Sequence, residues 1–270
     1  MIVTVVTPTL NAVAYLKECI ESVRGNASGG IEVEHIIADG GSTDGTPEQA
    51  AACGVRVLSR PGSGLFERIN QASMMASGEL IGYLGADDVM LPGALAAVVG
   101  AYARGSRRWV VGGIRWIDEE GRSLGGLAAP PSWITPRMHV SLGWNPIMLI
   151  GTYFSRDFFA QLGGYDVDYQ VSGDYEMLAR ALSSAPYTRL AVPVACFRRT
   201  GLNLSAVRHV RGMQENQMIL SRFRPKSELE RQGWRYGMKL WLNLSNPEWL
   251  ACKLAERCGL RPRSQHVLHF

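Results

Sequence analysis

The chain has 270 residues, 46% hydrophobic and 19% charged, with a net charge of +4. This excludes a disordered polymer and fits one large α/β domain or a domain with an extension. The charge is split, with 14 Lys+Arg against 19 Asp+Glu before Cys196 and 14 against 5 from there on, so an acidic body with a basic tail is expected. No apolar run approaches the ~20 residues of a membrane span, and the first ten residues lack the basic start and apolar core of a signal peptide. Five cysteines without a C-x-x-C pair suit a reducing cytosol.

Ile2 to Thr7 is a β-branched strand that Pro8 is expected to end. Leu16, Cys19, Ile20 and Val23 then take the i, i+3, i+4, i+7 spacing of a helix face. A second strand, Glu34 to Ala38, stops at Asp39-Gly40-Gly41. Thr46-Pro47-Glu48-Gln49 reads as a capping box with proline at the first helical position, and Asp44 as a brace for the turn before it. Val55 to Leu58 is a third strand, Leu65 to Ala76 a helix, Ile81 to Leu84 a fourth strand, and about Gly93 to Ala103 a helix. Four successive βα units predict a largely parallel sheet covered on both faces. The fourth strand runs into Asp87 and Asp88. Two carboxylates beyond the carboxyl end of such a strand suit a divalent ion bridging a diphosphate, one on the metal and one on a ribose hydroxyl. A helix N-terminus decorated with acids is the alternative.

After residue 105 the rhythm changes. Trp109 to Ile117 reads as a strand, Asp118 to Gly121 as a turn, and Leu127 to Pro146, with four prolines and two tryptophans, has no period. Met148 to Phe154 is strand-like, Asp157 to Leu162 and Asp174 to Leu182 are helical, and Leu190 to Phe197 is the last strand. Beyond Gly201 the pattern is helical, with Trp234, Tyr236, Trp241 and Trp249 among Arg222, Arg224, Arg231, Arg235 and Lys239. That mixture suits an anionic membrane surface, or helices packed on the body with solvated basic faces. Gly62-Ser63-Gly64 lacks the third glycine of a dinucleotide fingerprint, the histidines have no zinc spacing, and no nucleic-acid recognition motif is present.

Four segments, in order, resemble family-2 glycosyltransferases. They are Val3 to Asn11; His35-Ile-Ile-Ala-Asp39 through Asp44 to Thr46; Gly64 to Asn70 leading through Ala76-Ser-Gly-Glu79 to Asp87-Asp88; and Gly163-Gly-Tyr-Asp166 with Gly173-Asp-Tyr-Glu176. The resemblance covers roughly residues 1–200. It implies a GT-A fold, a mixed and mostly parallel sheet flanked by helices, with a nucleotide-binding half (1–105), an acceptor half (106–200) and a basic helical extension (201–270). It implies an inverting transfer of sugar from a nucleoside diphosphate to an acceptor hydroxyl, in polysaccharide or glycolipid assembly, with Mn²⁺ or Mg²⁺ neutralising the leaving group.

On that resemblance Asp88 is the expected metal ligand and Asp87 its neighbour on the nucleotide sugar. Asp174 is the expected base, with Glu176 as the alternative about 200° around the helix. Thr7, Pro8, Thr9 and Asn11 shape the first donor loop, and Asp39 meets the nucleotide base. Arg68 meets the diphosphate or holds Asp39, and Asn70 steadies the loop. Gly85-Ala86 stands where many relatives carry an acid, so the metal rests on fewer ligands. Arg198 or Arg199 is a candidate for pairing with phosphate. The acceptor is expected to be a saccharide or a lipid-linked one, and the protein cytoplasmic, peripheral on the inner face of the membrane, with no nucleic-acid partner. A non-catalytic scaffold of the same fold is the other reading.

Overall fold

The computed structural model describes residues 1–105, 108–201, 203, 208–223, 227–247, 250, 251, 254, 255 and 258. The first half alternates β1 (Ile2–Thr9), α1 (Val13–Arg24), β2 (Glu32–Asp39), α2 (Thr46–Ala52), β3 (Arg56–Ser59), α3 (Leu65–Met74), β4 (Leu80–Tyr83), β5 (Val89–Met90) and α4 (Ala94–Arg104). The second half holds β6 (Trp109–Ile117), β7 (Ser123–Leu127), α5 (Pro136–Ser141), β8 (Thr152–Ser155), α6 (Arg156–Leu162), α7 (Gly173–Ser184), β9 (Thr188–Arg198), α8 (His209–Phe223) and α9 (Glu228–Ser245). The strands form one sheet in the order β3-β2-β1-β4-β8-β6-β9-β5, with β7 on β6. β3, β2, β1 and β4 run parallel, as do β6 and β9, while β8 joins the two groups antiparallel to both β4 and β6.

Alternation along the strands sorts the side chains into two layers. Ile37 packs with Leu16, Ile20 and Ala50 of α1 and α2, while Ile36 and Ala38 share the larger core with Phe66, Ile69 and Ala72 of α3. In the second half Trp109 is fully buried, stacked on Phe154 at 5.5 Å and edge-on to Tyr187 at 5.0 Å.

Several local expectations are corrected. β1 continues through Pro8 to Thr9. The Val6 carbonyl accepts from Leu84 on the β4 side and the Thr9 carbonyl from Gly40 on the β2 side. By alternation Pro8 faces the β4 side, where β4 has already ended at Tyr83, so its missing N–H removes no ladder bond. α2 begins at Thr46 itself, after Gly45 at φ 93°, and the expected capping box is absent. Asp44 does the capping: its carboxylate accepts from the Thr46 N–H and hydroxyl and from the Val13 N–H. Met148 to Phe154 divides into a 3₁₀ turn at Leu149–Gly151 and β8. The aperiodic stretch contains α5, capped by the Thr135 hydroxyl.

α8 and α9 fold back on the body. α9 buries Met238 and Leu242 and leaves Leu229, Tyr236, Leu240 and Leu244 exposed. Arg189 lies 5.6 Å over the Trp241 ring. Trp249 and Arg224, part of the expected aromatic and basic mixture, lie outside the described residues. No helix among the described residues is long and apolar enough to cross a membrane.

Candidate active site

β4 ends at Tyr83, and the chain turns through Leu84-Gly85-Ala86 to the carboxylate pair, the Asp88 N–H closing the turn on the Gly85 carbonyl at 3.1 Å. The pair is held by residues more than a hundred positions away. Arg198, 2% exposed, donates its backbone N–H to Asp88 Oδ1 at 2.9 Å and its Nε to the Asp87 carbonyl at 2.9 Å. Its other nitrogens reach the Asp118 and Glu119 carbonyls and, at 2.6 Å, Glu18 Oε2, and its plane covers the Tyr15 ring at 4.7 Å. Asn203 donates to Asp87 Oδ2 at 2.9 Å. Arg198 is therefore a structural clasp, correcting its candidacy as a phosphate ligand. Arg199 lies over the Trp116 ring at 5.4 Å, half-buried.

Asp88 is the deeper of the two, 3% exposed, and burial together with the Asp87 charge pushes its carboxyl well up. Burial also raises Asp87, with the Arg198 charge opposing. A Cβ on Gly85 would lie 2.5 Å from Asp88 Oδ2 and 2.9 Å from Asp87 Oδ1. The missing side chain thus leaves a space on which both carboxylates converge. Two converging oxygens with raised proton affinity fit a hard divalent cation completed by ligand oxygens and water. Among the described residues no cluster of three or more His, Cys, Asp or Glu side chains could hold a metal.

Asp174 lies in the first turn of α7. Its Oδ1 accepts the Tyr175 N–H at 2.8 Å and its Oδ2 the Asn145 amide at 3.1 Å. Burial raises it to about 6, against these bonds. The preceding Gly173 rests on Phe66, where a Cβ would stand 2.6 Å from ring carbons, and Phe66 stacks on Tyr165 at 5.3 Å. Tyr83 sits amid these groups: burial, then Asp88, Asp87, Tyr165 and Asp174, drive its hydroxyl up. Tyr83 and Tyr165 line one small cavity.

The remaining candidates divide. Asp39 ends β2 with both oxygens engaged, by the Gly41 and Ser42 N–H groups and by the Ser42 and Thr9 hydroxyls at 2.5 and 2.7 Å. Burial pushes its carboxyl up, and these bonds more than offset it, holding it below the ordinary value. Its acceptor sites serve its own turn and Thr9 of β1. Thr7 points inward to His35 Nε2 at 2.9 Å, correcting its place at the donor surface. Asn11, at φ 52°, ties the first loop to the second by accepting from Thr43 while its own N–H donates to Ser42. Pro8 is buried in the strand. Arg68 is 7% exposed, donates to the Ser63 carbonyl at 3.1 Å, and leaves its Nε without a partner. Burial lowers it, opposed by the nearby Tyr83 and Asp39.

Two candidates are committed to internal partners. Asn70 forms a reciprocal pair with the Tyr165 backbone, at 2.7 and 2.8 Å. It clamps the loop between α6 and α7. Glu176, fully buried, accepts from Arg180 at 2.8 Å and from Arg222 at 3.0 Å. A carboxylate so committed is no free base, which corrects the alternative to Asp174. Sequence reasoning missed Tyr83, Asn145 and Asn203. Asn203 follows the last strand, and that position beside Arg198 was the signal available.

A family model described as Glycosyl transferase family 2 matches residues 4–161. An uncharacterized glycosyltransferase of Mycobacterium tuberculosis is 30% identical over 186 residues, 66% of this chain and 68% of its own. Among solved structures, S. aureus TarS 1-349 in complex with UDP-GlcNAc superposes with a TM-score of 0.64 at 16% identity, over 87% of this chain and 70% of its own. Glucosyl-3-phosphoglycerate synthase from Mycobacterium tuberculosis, in complex with Mn²⁺ and UDP-glucose, gives 0.56 at 21% identity, over 83% and 80%. These likenesses establish the GT-A fold.

Proposed function

The chain belongs to glycosyltransferase family 2, and from that premise we propose that it moves a sugar from a nucleoside diphosphate to an acceptor hydroxyl by a single displacement that inverts the anomeric carbon. The observation that supports the reading is the Asp87/Asp88 pair beyond the end of β4, whose oxygens converge on the space left by Gly85. Asp87, the more accessible of the pair, and Asp88 behind it would hold the divalent ion, and the relative crystallised with Mn²⁺ and UDP-glucose supports that choice of metal. The ion supplies charge neutralisation for the departing diphosphate. Asp174 takes the proton of the attacking hydroxyl, and its position near 6 suits a base working at neutral pH. Arg68, whose guanidinium lies against Gly40 next to Asp39, would add positive charge on the nucleotide side.

The acceptor is a saccharide or a lipid-linked sugar. The exposed stripe Leu229, Tyr236, Leu240 and Leu244, with Arg235 and Lys239 beside it on α9, supports peripheral attachment to an anionic inner membrane face from the cytoplasmic side. The test is thermal stability with UDP-, GDP- and dTDP-sugars, each with and without Mn²⁺, since a ligand that binds only the native state raises the melting temperature. A rise with one nucleotide that Mn²⁺ enlarges is the expected result. No rise with any donor refutes the donor site.

A further inference from the structure

The face that α8 turns to the body follows the approach to Asp174 residue by residue. Gly212, Glu215, Ile219 and Arg222 stand at i, i+3, i+7 and i+10, one side of a helix. The Glu215 carboxylate, 1% exposed, accepts the N–H groups of three successive residues, Gln170 at 3.0 Å, Val171 at 2.9 Å and Ser172 at 2.8 Å. Consecutive N–H groups ahead of a helix form an anion cradle, and here the chain fills its own cradle with a side chain. Gly212 lies close enough that a Cβ there would stand 3.2 Å from the Val171 side chain, and its carbonyl accepts the Ser172 hydroxyl. Ile219 is buried with Tyr175 and Ala179 of α7. Arg222 closes the set on Glu176 at 3.0 Å. The contacts bracket Asp174 on both sides, from residue 172 and from residue 176.

We propose that α8 is the positioning element of the base, with Glu215 as its principal positioning residue: the carboxylate pins residues 170–172 and so fixes where α7 starts and where Asp174 faces. The inference rests on Asp174 being the base. It makes α8 part of the catalytic unit, although the family match ends at residue 161. Glu215 is itself held by Arg211 at 2.8 Å. Its charge is stabilised where it lies: burial pushes its carboxyl up, and Arg211 and the three N–H groups bring it below the ordinary value.

The experiment compares Glu215→Gln, Arg222→Met and Asp174→Asn in the full chain. Turnover is read as nucleoside diphosphate released from the sugar nucleotide that stabilises the protein, water serving as acceptor, and donor binding by thermal shift. Glu215→Gln is expected to lower kcat at least tenfold with the donor KM within twofold, and Arg222→Met to lower kcat at least threefold in the same way. Wild-type kcat in Glu215→Gln, with Asp174→Asn inactive, overturns the positioning role and leaves the base in place. Wild-type kcat in Asp174→Asn overturns the base itself, whatever Glu215 does. If Glu215→Gln no longer binds donor, Arg222→Met decides, because Glu176 keeps Arg180 in that variant. A selective kcat loss there supports the proposal and an unchanged kcat overturns it.

Discussion

Replacing Asp174 by asparagine should separate what the carboxylate does for chemistry from what it costs the fold. Its carboxyl is raised from the usual 3.8 to about 6 by burial. The folded state therefore keeps its proton to a higher pH than the unfolded chain does. The sign follows: stability falls as pH rises from about 4 through about 6 and is level above. At about 1.36 kcal/mol per unit, a fully shielded group would cost ~3 kcal/mol at pH 8 and about half of that at pH 5. Asp174 is partly open to solvent, which cuts these figures roughly in half. Asparagine keeps an oxygen for the Tyr175 N–H but sets its amide against the Asn145 amide, at about 1 kcal/mol independent of pH. The variant should thus gain about 0.7 kcal/mol on wild type between pH 5 and pH 8, a relative rise of about 2 °C in melting temperature. Turnover should fall by ~10²-fold or more with nucleotide binding retained, and wild-type turnover should climb through about pH 6. Parallel stability profiles, or turnover within a few-fold of wild type, would refute the assignment.

Asp87→Ala should remove the Mn²⁺-dependent part of nucleotide stabilisation with little change in the apo melting temperature; an unchanged metal effect would leave Asp88 as the ligand without Asp87. Arg198→Met should strand the Asp87, Asp118 and Glu119 carbonyls that the guanidinium serves, at ~3–5 kcal/mol. Denaturant unfolding measures this, and a loss under about 1 kcal/mol would show that the clasp is dispensable. Changing Tyr236 and Leu240 together to glutamine should weaken binding to phosphatidylserine vesicles by about tenfold or more, from ~1.5–3 kcal/mol per buried side chain, while leaving turnover of soluble substrate intact. Equal binding in a sedimentation assay would leave the exposed stripe without a membrane role.

The parallel half was legible because its signals are local. Leu16, Cys19, Ile20 and Val23 form the buried face of α1, and β1 and β2 carry β-branched runs. What escaped depends on partners distant in sequence. β5 is two residues long and exists because Val89 and Met90 pair with Cys196 and Ala195. Asp39 looks like an open acid until Thr9 and its own turn are seen to engage both its oxygens. Glu176 and Asp174 share a helical turn, and only the arrival of Arg180 and Arg222 distinguishes a buried ion pair from a base. Asn70 likewise gains its role from Tyr165, 95 positions later.

The insertion of β8 between β4 and β6 has a consequence for synthesis. β4 is left with an open hydrogen-bonding edge until Thr152–Ser155 are made, and the carboxylate turn beside it stays unclasped until Arg198. Roughly 70 residues separate β4 from β8, several seconds of elongation at ~5–20 residues per second. During that time a twisted parallel sheet ends in an unpaired strand, the kind of edge that recruits other chains. The nascent first half is therefore the species that a chaperone has to guard, and a release-arrested fragment ending near residue 105 should aggregate where the full chain does not.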